Sequence, residues 1–93
     1  MHIRWTDPAV RDFTHICDYI QKHGSEATAR RVALSIHDQL AMLSKFPECG
    51  RTGRKPDTRE LVFGNLPYLA VYRINRDAVE ILRILHGAQD WSK

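Results

Sequence analysis

Apolar residues recur along this chain in two rhythms: every three or four positions in the first half, and nearly every position or every second one in the last third. Val10, Phe13, Cys17 and Ile20 stand three and four apart with Ile16 beside them, while Arg11, Asp12, Asp18 and Lys22 take other faces. Ala29, Val32, Ala33, Ile36, Leu40 and Leu43 form a second stripe at helical spacing. Thr6 or Asp7 suits the cap of the first helix, Pro8 is tolerated in its first turn, Gly24 ends it, and Ser25 suits the cap of the second. Two adjacent amphipathic helices predict an antiparallel hairpin.

Helical periodicity stops at Phe46-Pro47. Glu48 to Thr58 reads as an exposed loop of about ten residues, longer than most connections and therefore a candidate functional segment. Beyond it, Arg59 to Phe63, Tyr68 to Ile74 and Ala78 to His86 are rich in Leu, Val, Ile and Tyr. Turn-forming Gly64-Asn65-Leu66-Pro67 and Asn75-Arg76-Asp77 separate them, which predicts a three-stranded antiparallel meander. Strict alternation in the last strand sets Val79, Ile81, Arg83 and Leu85 on one face and Glu80, Leu82, Ile84 and His86 on the other. Both faces are mostly apolar, so this strand is expected to be central. With Ile3 to Trp5 as a further strand, the order is β-α-α-β-β-β. That is an α+β fold in which an antiparallel sheet is packed on one face by a helical hairpin, its other face partly open.

The chain has 93 residues, enough for one domain spanning 1–93. With 43% hydrophobic and 27% charged residues it is neither disordered nor fibrous in composition. Cys17 and Cys49 lie far apart without metal-ligand or redox spacing, so a reduced, cytoplasmic chain is expected. The charged start Met1-His2-Ile3-Arg4 is unlike an export signal, and no run approaches the ~18 apolar residues of a membrane span.

The net charge of +3 is matched by one segment, because Arg51, Arg54, Lys55 and Arg59 are offset there only by Asp57. Such a loop suits phosphates or an acidic protein segment, or it is merely a solvated turn; it has no interleaved aromatic for base stacking. His86 ends the last strand, where an imidazole is placed to exchange protons, with Arg83 and Arg73 expected at the same end of the sheet. The plainer role is a hydrogen bond from His86 to Asp90 or to backbone. His2, His15, His23 and His37 show no ligand spacing, so neither metal nor cofactor is expected. P-loop, GxGxxG and GxSxG motifs are absent.

Several phrases in order carry a family resemblance. They are Ile3-Arg4-Trp5-Thr6; Ala9, Asp12, Ile16 and Tyr19-Ile20; Phe46-Pro47 with Gly50-Arg51 and Gly53-Arg54; Thr58-Arg59-Glu60-Leu61; Pro67-Tyr68 with Val71-Tyr72-Arg73; and Ile81 to Gly87 with Asp90-Trp91. Together they resemble the RelE/ParE superfamily of small bacterial toxins from type II toxin–antitoxin, or plasmid-stabilisation, modules. The resemblance implies a growth-arresting toxin and a cognate antitoxin as partner, with a disordered antitoxin segment folding over the helix hairpin or the open sheet into a hetero-oligomer.

Two activities occur in that superfamily. In the RelE type, messenger RNA on the ribosome is cut by basic and acid/base side chains, which implies His86, Arg83, Arg73 and Asp57 as the catalytic group. Asp57 falls where a similar loop supplies glutamate, but Leu69 stands where arginine is expected and no tyrosine follows His86. The ParE type poisons DNA gyrase, and its last strand ends similarly to Ile84-Leu85-His86 followed by Asp90. The resemblance thus favours a gyrase poison over an mRNA interferase.

Overall fold

Two short polar side chains start the helices. In the computed structural model, which describes residues 1–87, Thr6 accepts the backbone N–H of Ala9 at 3.4 Å and opens α1 (Asp7–His23). Ser25 accepts that of Thr28 at 3.1 Å and opens α2 (Glu26–Ala41). Each hydroxyl satisfies a donor that the first helical turn cannot pair internally. A single 3-10 turn, Met42–Ser44, follows α2.

The strands are β1 (His2–Trp5), β2 (Arg51–Thr52), β3 (Arg59–Val62), β4 (Tyr68–Asn75) and β5 (Ala78–His86). They form one sheet in the order β1-β5-β4-β3-β2, with β5 inside it as expected. The α+β architecture with its helix hairpin is therefore present, with two additions. β1 joins β5 in parallel, because α1 and α2 carry the chain away before the remaining strands are laid down. The segment read as irregular loop contains β2, whose two residues pair with Arg59 and Glu60.

Neighbouring β4 and β5 residues share a face, so their register sorts the side chains. Tyr72 faces Ile81 and Ala70 faces Ile84, yet Val71 faces Arg83, which leaves Leu82 without a partner in a bulge. That extra residue shifts the alternation and corrects the expected pattern. Ile84, not Leu85, joins Val79 and Ile81 against the helices, while Leu85 packs with Leu69, Val71 and Leu82 on the other side. The main core sets these residues and Tyr72 against Ile36, Leu40 and Leu43. On α1 the fully buried residue is Ala9, whereas Val10, expected in the stripe, is exposed.

α1 also completes the edge of β5 that β1 is too short to cover. The Thr6 hydroxyl donates to the Ile81 carbonyl at 2.8 Å, and the Asp12 carboxylate accepts the Ile84 N–H at 3.0 Å. The Ile81 carbonyl also accepts the Thr6 backbone N–H at 3.0 Å, so the hydroxyl reinforces a bond already made, whereas Asp12 satisfies a donor of β5.

Candidate functional site

On the face turned away from the helices, two glutamates are buried beneath arginines. Arg4 of β1, Glu80 of β5 and Arg73 of β4 lie in one row across the sheet. Glu80 is 5% exposed; it pairs with Arg4, receives the Arg73 Nε–H at 2.7 Å and the Asn75 amide at 3.4 Å. In the next row Arg51 of β2 and Glu60 of β3 stand beside Val71. Glu60 is 2% exposed and accepts Arg51 Nε and Nη2 at 3.1 and 2.9 Å. The arginine side chains remain about half exposed. This face therefore presents three guanidiniums with their charge largely answered from below, next to the apolar strip of Leu69, Leu82 and Leu85.

Glu60 also shapes the basic segment, since its second oxygen accepts the Arg54 N–H at 3.3 Å. Arg59 points to the opposite side and donates to the Glu48 and Gly50 carbonyls at 3.2 and 3.0 Å. Of the four basic residues singled out, Arg51 and Arg59 thus hold the hairpin together, while Arg54 and Lys55 sit exposed at its tip. Asp57 stands in the left-handed region at φ 60°, where aspartate is tolerated in turns. With Thr52, Thr58, Arg59, Arg73 and Asn75 it lines a cavity of about 560 Å³.

His86 lies elsewhere. It pairs with Tyr68 on the helix side of the sheet, their rings edge to face at 5.8 Å, and lines a cleft of about 360 Å³ with Arg11, Asp12, His15, Ile16 and Ile84. Burial, more than the nearby Tyr19 and Cys17, raises the Tyr68 pKa above its ordinary value. Arg83 is taken up by Asp12, with Nε and Nη2 at 2.6 and 3.0 Å, and this bidentate bond raises its pKa further.

The expected grouping of His86, Arg83 and Arg73 at one end of the sheet is not found. Arg73 stands five residues along β4 from Tyr68, about 17 Å away at strand rise, and on the opposite face. Asp57 lines one cavity with Arg73 instead. The expected His86 to Asp90 contact lies outside the described residues. Among those residues, no cluster of three His, Cys, Asp or Glu side chains is arranged to hold a metal ion.

Glu60, Glu80 and Asp12 escaped the sequence reading. Glu80 carried a signal, a lone carboxylate between the apolar Val79 and Ile81 of a strand; Asp12 carried none, because its partners are more than 70 residues away.

The family profile described as ParE toxin of the type II toxin–antitoxin system parDE matches residues 3–91. The chain belongs to the ParE toxin family. This ParE-family chain is 46% identical over 89 residues to Y4kP of Sinorhizobium fredii, a candidate toxin by name, covering 96% of this chain and 91% of the relative. It is 38% identical over 85 residues to Toxin RelE2 of Caulobacter vibrioides, covering 91% and 93%. Among solved structures, a chain of the chromosomal ParDE system of P. aeruginosa superposes with a TM-score of 0.85 at 26% identity, over 92% of this chain and 95% of that one. A chain of the RelBE2 toxin–antitoxin complex of Mycobacterium tuberculosis shares the fold, with a TM-score of 0.66 at 23% identity over 91% and 95%. The protein is thus a toxin of a type II toxin–antitoxin module, of the RelE/ParE superfamily.

Proposed function

We propose that this toxin arrests growth as a non-enzymatic poison of DNA gyrase and that a cognate antitoxin neutralises it. The observation that carries the reading is the separation of the groups an RNA-cutting reaction would need together. General acid–base catalysis requires its side chains within hydrogen-bond reach of one substrate. Here His86 lies on the helix side of the sheet, Arg83 is committed to Asp12, and Arg73 is committed to Glu80 on the other face. The likeness to a ParDE chain over nearly the whole length supports the same reading. The antitoxin is expected to bring acidic and apolar side chains to the arginine-rimmed open sheet face or the helix hairpin. Gyrase requires the cytoplasm as the place of action, and among the described residues no helix is long and apolar enough to cross a membrane.

A second reading has its own observation. Asp57, Arg59 and Arg73 line one cavity, and a relative bears the name RelE2. On that reading the chain cuts messenger RNA on the ribosome, with Asp57 and Arg73 at the reacting phosphate.

One experiment separates the two: the purified toxin is given gyrase with supercoiled DNA, and in parallel translating ribosomes with message. Trapped cleaved DNA or lost supercoiling is expected, and codon-positioned message cuts in its place would overturn the proposal. His86→Gln is expected to keep full toxicity at matched soluble protein, whereas a proton-transferring histidine would lose roughly 100-fold or more. Replacing both Arg54 and Lys55 by alanine is expected to weaken target contact while leaving the fold intact.

A further inference from the structure

The outward face of α2 complements itself. Ile36 and Leu40 turn inward, and on the opposite side Ala27, Arg30, Leu34, Asp38 and Ala41 recur at spacings of three and four, all exposed. Leu34, 59% exposed, is the large apolar residue of this stripe and lines an open groove of about 500 Å³ with Ala27, Arg30, Arg31, Ser35 and Asp38. Arg30 and Asp38 stand four residues to either side of Leu34, with opposite charge. Ala27 and Ala41 stand seven residues to either side, both small.

We infer that α2 is a two-fold interface at which a second copy of this chain docks antiparallel. A two-fold axis through Leu34 sets residues equidistant from it against each other. Leu34 meets the partner's Leu34, Arg30 meets the partner's Asp38 twice by symmetry, and Ala27 meets the partner's Ala41, allowing close approach of the helices. The arrangement closes on itself and cannot propagate. Arg31 also lines the groove and adds one positive charge, so it is the mirrored order of Arg30, Leu34 and Asp38 along the helix that fits a second antiparallel copy. Arg30 is not otherwise firmly held, since its contact with Glu26 is 3.7 Å between two exposed side chains. A 16-residue helix is about 24 Å long, so the interface is small and the dimer weak and concentration-dependent. The open sheet face and the His86 cleft are lined by residues outside α2, so the dimer leaves both accessible.

The test is sedimentation of the full chain, freed of antitoxin, over a range of concentrations, with circular dichroism to confirm the fold of each variant. Wild type is expected to shift toward dimer as concentration rises, and Leu34→Glu to stay monomeric. Arg30→Asp is expected to weaken the dimer about tenfold by placing like charges opposite each other twice, and the added exchange Asp38→Arg to restore it. A wild-type chain that stays monomeric overturns the inference. So does a dimer that Arg30→Asp leaves unchanged, or one that the double exchange fails to restore.

Discussion

The two faces of the sheet are built from alternate residues of the same strands, and they are held by different forces. Tyr72 and Ile81 point to the helices, while Arg73 and Glu80, one residue away along each strand, point to the open side. On the helix side, side chains as large as Tyr72, Ile36 and Leu40 are fully or almost fully buried against one another. On the open side the buried groups include Glu60 and Glu80, held by half-exposed arginines. Packing contributes most of a domain's stability, whereas a buried ion pair roughly offsets its own desolvation. The comparison teaches that the helix face maintains the fold, while the charges of the open face contribute little to it.

The sharpest way to break that contrast is to truncate one residue on each face at adjacent positions. Ile81→Ala, at a fully buried site, is expected to lower the unfolding free energy by about 3 kcal/mol through lost burial and the cavity left behind. Glu80→Met should change it by less than about 1 kcal/mol, because it removes a desolvated charge and keeps the volume. Arg4→Ala with Arg73→Ala, which leaves Glu80 buried without its arginines, should cost clearly more than Glu80→Met. Urea denaturation measures all three. If Glu80→Met proved as costly as Ile81→Ala, the open face would be a structural element in its own right.

Tyr72 sharpens the picture from the helix side. It is fully buried; its hydroxyl donates to the Pro47 carbonyl at 2.8 Å and accepts the Gly50 N–H at 2.9 Å, tying the segment before β2 to the sheet. A Cβ on residue 50 would stand 2.5 Å from that hydroxyl, which is why glycine occupies the position. Tyr72→Phe leaves the buried Gly50 N–H and the part-buried Pro47 carbonyl without this hydroxyl and is expected to cost about 2 kcal/mol. Burial, more than any neighbouring group, raises the Tyr72 pKa above its ordinary value of 10.0. The unfolded chain therefore ionises first: this contribution is intact below about pH 10 and is lost as pH rises toward the folded value. Tyr72→Phe should flatten that alkaline loss, leaving the shares from Tyr68 and Cys17, whose pKa values are also raised. An unchanged alkaline slope in the variant would place the titrating group elsewhere.

The parts of this fold legible in the sequence are those written in local chemistry. Thr6 and Ser25 announced the helices, the stripe from Ala29 to Leu43 announced its buried face, and the turns around Asn65 and Arg76 announced the meander. What escaped depends on distant partners. The Leu82 bulge leaves no mark in β5 alone, since only the register with β4 reveals that one residue is extra. Consequently Ile84 and Leu85 were assigned to the wrong faces. β2 is two polar residues recruited by β3, and no periodicity exists at that length. Arg83 and Arg73 stood out in the sequence as candidate catalytic residues beside His86, but the carboxylates that engage them lie on another element or on the neighbouring strand. A basic side chain in a strand is thus readable as exceptional before it is readable as structural or functional.

The smallest expected effect tests the turn that assigns residues to the two faces. Asn75 pairs with Ala78 across the β4–β5 turn, and Arg76 within it takes φ 59°. The left-handed region costs a residue with a Cβ about 1 kcal/mol, which glycine avoids while gaining freedom in the unfolded chain. Arg76→Gly should therefore raise stability by less than about 1 kcal/mol. The register should not move, because a slip of one residue would turn Tyr72 to solvent and Arg73 into the core. Thermal unfolding checks the stability, and growth arrest at matched soluble protein checks the function. Arg76 stands at the same end of the sheet as Arg4 and Arg73 and is exposed, yet it covers no carboxylate in the rows described above. Full toxicity in Arg76→Gly would leave the turn outside the surface that meets the target. Lost toxicity in a variant that folds as well as wild type would place the turn on that surface.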